Sequence, residues 1–565
     1  MTLRQDTDTD SWPLRPWIMA ASCALGGLIF HFLTDHRYPD TVPALRQAAA
    51  TFVAIATVSF VMTVEQRRWL WSLAFAAGWG VVVALVGWFT AGYNSNPTIF
   101  EWPFLSGLFA VLLAAPLFQT VRDEGAWRFP YAKLHGHAWT DAVIGAAALA
   151  FTGISFALAW LIAGLFDLIG IDLIKNLLND EWFGWLLGGF AFGAAVGLLR
   201  ERDALVATLQ RLVMVVLGVL APVLAAALLL FLLSIPFTGL TKLWDSSVPA
   251  TPMMLLAGAG AILLANAVIG NGADDRATNR ILRISAQVLV LAVLPLAIIA
   301  AVSLGLRIGQ YGWTPERIWG VVAVAVAIGY GLVGWWVVAK GRNDFDDFLR
   351  PLQTRLALGL CGLALFLALP ILDFGAISAQ SQIARFAAGR IPAAEFDWRA
   401  MAFDFGPAGR KRLHEIARSG PPDQRKLASA ALKSENRHTV EEEVDKTESA
   451  ANLDTRMRII PEGTVLPPEL RSAIAETRFC RVGPCVLTMA GEDRAVIAGP
   501  LFKDDTVQVA AIDRDAKGVW AQSDLNSFVQ RPPFRPDLST APVELRKVER
   551  RQLFIDGKPV GRSFE

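Results

Sequence analysis

Along the first two-thirds of the chain, apolar residues come in long blocks separated by short polar stretches, and beyond Pro370 that pattern stops. A helix rises about 1.5 Å per residue, so roughly 20 apolar residues cross the hydrocarbon core of a bilayer, about 30 Å thick. Eleven blocks qualify, near 17–34, 47–64, 70–91, 102–120, 140–165, 182–199, 208–234, 252–270, 284–306, 317–339 and 353–370. Lipid offers the backbone no hydrogen-bonding partner, so these blocks must be helices; barrel strands would show short alternating segments instead. The pattern predicts an all-α polytopic membrane helical bundle of about 11 transmembrane helices over residues 1–371. After the first block come His31, Asp35, His36 and Arg37 rather than a small-residue cleavage site, so it reads as a retained span.

The remainder is predicted to be an extramembranous α/β tail in two parts. Residues 372–452 show helical periodicity in Gly409–Ala417 and Gln424–Leu432 and end in a charged linker, Glu441–Lys446. From 453 to 565 the pattern becomes β-rich: Cys485–Met489, Ala495–Ala498 and Thr506–Ile512 read as strands, and Asp556–Gly557 reads as the turn of a closing hairpin. Such a length suffices for a small independent domain. No internal repeat stands out, so an inverted-repeat transporter gains no support.

Charge decides the orientation. With a cytoplasmic N-terminus, the short loops on that side hold 17 lysines and arginines, among them Arg67, Arg68, Arg122, Lys133, Arg200, Arg202, Arg276 and Arg350. The other side holds six: Arg37, Arg46, Lys175, Lys242, Arg307 and Arg317. Basic residues accumulate on the cytoplasmic side, so the bias places the tail in the periplasm of a protein of the bacterial inner membrane. Net charge is +1 with no concentrated basic stripe, which excludes a nucleic-acid partner; lipid bilayer is the implied partner, with an envelope protein or lipid as a further one.

Within the spans, Gly189, Gly193 and Gly197 recur every fourth residue, a smooth face for close helix packing. Pro222 and Pro295 each remove a backbone donor from a span. Residues 166–178, with Asp167, Asp172 and Lys175 among apolar neighbours, read as an interfacial amphipathic helix. Ionisable or polar groups at His31, Asp141, Asp167, Asp245, Asn266, Gln287, Arg307 and Asp373 lie in or beside spans, where an unpaired charge is costly. Cys23 and Cys361 read as buried small hydrophobes, whereas Cys480 and Cys485 flank a Gly483–Pro484 turn and form a candidate disulfide. Free thiols and half a metal site are the alternatives, but no further cysteine or histidine supplies ligands, and no cofactor motif occurs.

The densest polar string is Arg307–Arg317, placed between spans nine and ten. Gly312 permits a turn, Thr314 caps the next helix, Pro315 suits its first position and Glu316 its positive end. Arg307, Tyr311 and Arg317 remain, together with Asp373, as candidates for an anionic headgroup or a neighbouring loop. The string Tyr311-Gly-Trp-Thr-Pro-Glu-Arg317 resembles the bacterial membrane-protein family called domain of unknown function 4153, in which such a string precedes a hydrophobic helix. Leu372–Gln382 and Phe403–Gly409 extend the resemblance, which spans roughly residues 15–435 and leaves out the β-rich part. It implies a multi-pass inner-membrane protein and brings no reaction. No catalytic motif is present, and three functions compete: a membrane anchor presenting a periplasmic module, a transporter or lipid-handling protein, and an envelope enzyme using Asp373 or Asp404.

Overall fold

Each of the eleven apolar blocks forms a helix long and apolar enough to cross a membrane: α1 (Arg15–Thr34), α2 (Ala44–Thr63), α3 (Trp69–Thr90), α4 (Pro97–Glu124), α5 (Tyr131–Asp167), α7 (Glu181–Arg200), α8 (Asp203–Thr238), α9 (Ala250–Ile269), α10 (Arg280–Tyr311), α11 (Pro315–Gly341) and α12 (Phe345–Ala368), with the short α6 (Leu173–Asn179) before α7. This computed structural model describes residues 12–35, 43–91, 97–239, 249–272, 275–393, 395–434, 453, 456–477, 479–480, 483–500, 507–515, 518–526, 537–543, 551–555 and 558–564. Lys242, Asp245, the Glu441–Lys446 linker and the Asp556–Gly557 turn lie outside them. The chain divides into two compact units, Met1–Pro392 with Asp404–Gly409, and Ala393–Phe403 with Arg410–Glu565.

Several helices outrun their apolar blocks. α5 starts at Tyr131, directly after Pro130, and its 37 residues reach about 55 Å, well beyond the hydrocarbon. Pro222 and Pro295 each lie inside one continuous helix. The amphipathic segment is a correction: α5 ends at Asp167, a turn follows, and α6 has only seven residues, with Lys175 Nζ 2.9 Å from Asp167 Oδ2. The hydrogen bond and charge of Asp167 hold the Lys175 ammonium above the usual lysine range.

Two large buried clusters are assembled among the described residues of the first unit, besides a smaller one of Ile55, Val83 and Val111. One gathers Met19 and Cys23 of α1, Val61 of α2, Ile144 and Ala148 of α5, and Ala195 and Val196 of α7. The other surrounds α10, whose Leu289, Val293, Leu296 and Ala300 meet Ala261 and Ala265 of α9, Ala221 and Ala225 of α8 and Val337 of α11. The α4–α12 seam includes a bond from Ser106 Oγ to the Ala364 carbonyl, 2.9 Å. Lipid tails are as apolar as the side chains, so close packing of small residues replaces the hydrophobic drive. The glycine face of α7 shows this: a Cβ at Gly189 would overlap the Cys23 carbonyl, one at Gly193 the Met19 carbonyl, and one at Gly197 the Pro16 backbone. α1 and α7 therefore touch backbone to backbone.

Arginines close the helix ends. The last carbonyls of a helix have no partner within it. At the C-terminus of α2, Arg200 of α7 donates to the Val61 (3.3 Å) and Met62 carbonyls, Arg122 of α4 to Thr63, and Arg15 of α1 to Val64 (3.1 Å). Gln119 adds a bond to Met62 at 3.1 Å, and Glu65 Oε1 balances both Arg15 (3.0 Å) and Arg200 (2.8 Å). The same device recurs at α9: Arg350 of α12 donates to the Ile269 and Gly272 carbonyls, both at 3.1 Å, while Asp346 (2.7 Å) and Asp347 (2.8 Å) hold its charge.

In the second unit, α14 (Gly406–Ser419), which belongs to it from Arg410 onward, and α15 (Pro422–Lys433) precede a five-stranded sheet ordered β1 (Met457–Ile460), β2 (Cys485–Met489), β3 (Arg494–Gly499), β4 (Gln508–Arg514) and β5 (Trp520–Asn526). β1 and β2 run parallel and the other neighbours antiparallel. Alternate residues Ala495 and Ile497, and Ala510 and Ile512, point to one face, where α16 (Pro468–Glu476) contributes Leu470 and Ile474 to the core. β6 (Arg551–Ile555) and β7 (Lys558–Phe564) pair as a separate antiparallel hairpin. Cys480 and Cys485 are buried in this core and joined by a disulfide, their Cα atoms 5.0 Å apart.

Two substitutions test these contacts. Gly193→Ala should lower stability by about 1–3 kcal/mol in detergent, because the added methyl group meets backbone, whereas Gly78→Ala, with open space around it, should be neutral or slightly stabilising. Thermal unfolding of the two variants decides between a packed seam and a loose one. Arg200→Ala should cost about 2–4 kcal/mol by stranding the α2 carbonyls, and Arg200→Lys, which keeps charge but loses the fork, should fall between.

Candidate functional site

The polar string falls on two helix ends, which corrects its placement between spans. Arg307 and Tyr311 belong to the last two turns of α10. Gly312 follows at φ +78°, a conformation that favours glycine. Thr314 is the N-cap of α11, its Oγ1 accepting from the Arg317 N–H at 3.4 Å; Pro315 occupies the first turn with Glu316. Arg317 Nη1 returns to the Gly312 carbonyl, 2.6 Å, and tightens the turn.

What holds this turn is distant in sequence. α13 (Phe374–Ala387) lies against it: Ser381 Oγ accepts from the Trp313 N–H at 3.3 Å, and Gln382 Nε2 donates to the Tyr311 (2.9 Å) and Trp313 (3.0 Å) carbonyls. Arg385 caps α10 through the Gly309 carbonyl at 3.2 Å and the Gln310 carbonyl. Asp373 starts α13, its Oδ1 accepting from the Ala376 N–H at 2.8 Å, so this carboxylate has a capping duty. A Cβ on Gly375 would overlap the Phe405 carbonyl, which shows how closely the Phe405 backbone approaches.

Beside the turn lies a cavity of about 210 Å³, bordered by Thr90 of α3, Pro103 of α4, Pro315 and Trp319 of α11, Leu367 of α12, and Asp373, Phe374 and Pro407. Residues from all three motif segments, around 311–317, 372–382 and 403–409, thus meet at one place. Aromatic rings frame it: Trp102 stacks on Trp319 at 5.7 Å, and Phe374 meets Trp319 edge-on at 5.3 Å. Arg307 and Arg317 lie 5.8 and 5.5 Å from the Tyr311 ring centroid.

The other candidates are dispersed. Asp141 accepts from Gln119 at 3.1 Å, Asn266 from Gln353 at 2.5 Å, Gln287 donates to the Arg342 carbonyl at 2.8 Å, and His31 lies 4.0 Å from Glu181. Asp404 is buried. Among the described residues, no group of three His, Cys, Asp or Glu side chains is placed to hold a metal ion. Sequence reasoning missed Ser381, Gln382 and Arg385, whose only signal was their place in the segment following Asp373.

Eleven long apolar helices and a site built on their ends define a multi-pass membrane protein. The chain belongs to the family described as Domain of unknown function (DUF4153), whose model matches residues 50–405 and so takes in Tyr311–Arg317 and Leu372–Gln382 but ends within Phe403–Gly409. No curated protein and no solved structure matches it.

Gly312→Ala should destabilise the protein by about 1–3 kcal/mol, since the backbone there is left-handed and a Cβ would press on Arg385 and Gln382. Gly309→Ala, three residues earlier with open space around it, is the control and should leave the melting temperature unchanged or higher.

Proposed function

We propose that this protein is a bacterial inner-membrane anchor that presents a periplasmic module to envelope proteins or lipids. In this reading residues 1–371 are the bilayer domain, 372–452 a helical connector with a charged linker, and 453–565 the exported β-rich module. The observation that carries it is a separately cored, disulfide-bonded unit following an odd number of apolar helices among the described residues. An odd count puts the two ends of the bundle's chain on opposite sides, and the basic bias of the loops favours the N-terminal side as cytoplasmic. Disulfides persist in oxidising compartments, which suits a periplasmic Cys480–Cys485 pair.

A second reading, lipid handling, rests on one specific feature. A cavity of about 520 Å³ opens among α1, α2, α5 and α7, walled by Gly26, Phe30, Val53, Val58, Phe156, Trp185 and Phe192. Its walls are almost wholly apolar, which suits an acyl chain and not a polar solute.

Reporter fusions to the chain in the bacterial membrane test the first reading. Fusions after Arg68, Lys133, Arg202 and Arg283 should be active only as cytoplasmic reporters, and one after Lys433 only as a periplasmic reporter. A cytoplasmic signal after Lys433, or a full-length protein whose Cys480 and Cys485 are both alkylated without prior reduction, would reject it.

A further inference from the structure

We propose that Arg307 and Arg317, backed by Arg385, bind a phosphate group, carried either by the headgroup of an anionic lipid or by a small soluble phosphate ester. The first support is a contrast within the fold. Elsewhere in the first unit clustered arginines are matched by carboxylates: Arg15 and Arg200 by Glu65, Arg122 by Asp123 and Arg350 by Asp346 and Asp347. At the α10–α11 turn three guanidinium groups gather instead, with Arg317 under the electrostatic influence of both Arg307 and Arg385. Glu316 acts on Arg317 from beyond ion-pair distance, and among the described residues none of the three arginines is in a salt bridge. Such a cluster of like charges calls for an anion.

The geometry assigns distinct parts to the three. Arg385 is committed to the Gly309 and Gln310 carbonyls and supplies fixed positive charge. Arg317 is anchored by one nitrogen to the Gly312 carbonyl, which aims its planar fork. Arg307 is exposed and makes no hydrogen bond or ion pair among the described residues, so its fork is available. Both Arg307 and Arg317 flank the ring of Tyr311, which is half-exposed and brings a hydroxyl that can donate to the same oxyanion. Paired forks match the oxygens of phosphate. The cluster sits where α10 ends and α11 begins, beside Trp313 and the Trp102–Trp319 stack, the depth at which aromatic side chains meet lipid headgroups.

The test uses the full-length protein in neutral detergent and follows its thermal unfolding during titration. One arm adds mixed micelles of phosphatidylglycerol, one adds phosphatidylcholine, and one adds glycerol 3-phosphate. Phosphatidylglycerol should raise the melting temperature at lower concentration than phosphatidylcholine. Arg307→Gln should weaken half-saturation about fivefold and the Arg307→Gln/Arg317→Gln double variant roughly twenty-five-fold, as expected of one charge each near a headgroup. Arg355→Gln, an equal charge change on an exposed residue of α12, should have no effect. Arg317 also supports the turn, so Arg307→Gln alone is decisive. Protection by phosphatidylglycerol alone identifies a lipid phosphate; protection by glycerol 3-phosphate as well identifies a soluble ester. If neither protects, or if Arg307→Gln responds like the wild type, the proposal is wrong.

Discussion

A helix that ends at the edge of a bilayer leaves carbonyl oxygens where water is scarce, and this protein meets that requirement with arginines reaching over from other helices. Such ends include α2 under Arg15, Arg122 and Arg200, α9 under Arg350, and α10 under Arg385. Each cap joins helices far apart in sequence. The α2 cap draws together α1, α2, α4 and α7, so satisfying a local backbone deficit also fixes which helices are neighbours. A guanidinium suits this duty because it has five donors and keeps its charge. The nearby carboxylates Glu65, Asp346 and Asp347 lower the cost of holding that charge away from bulk water.

The spans were legible because lipid imposes a single length and forbids any other backbone solution. The helix ends were less so. α5 begins nine residues before its apolar block and α10 carries Arg307 and Tyr311 within its last two turns, since polar residues extend a helix freely once it has reached the headgroups. The arginine bias had a second meaning that the sequence could not separate from the first. Arg15, Arg122, Arg200 and Arg350 count as basic loop residues in any tally, yet they are caps, three of them buried and Arg200 partly so, and only the fold reveals which carbonyls they serve.

The candidate site divides in the same way. Thr314, Pro315 and Glu316 act within one turn of each other, and their capping roles could be read directly. Ser381, Gln382 and Arg385 act across about 70 residues of chain, a distance over which no periodicity speaks. In the second unit, alternation revealed β2, β3 and β4, whereas β1, β5 and the helix α16 went unread. β1 is only four residues long, α16 only nine, and Trp520–Asn526 is too polar to alternate clearly.

The glycine seam between α1 and α7 bears on how the chain is made. α1 has its most extensive helix partner not in its neighbour α2 but in α7, which follows it by some 150 residues in the chain. The backbone seam and the bond from Arg15 to the Arg200 carbonyl both need α7, so α1 cannot complete its contacts from the segments that adjoin it in sequence. A chain truncated before Glu181 would therefore leave bare the face of α1 formed by Pro16, Met19 and Cys23.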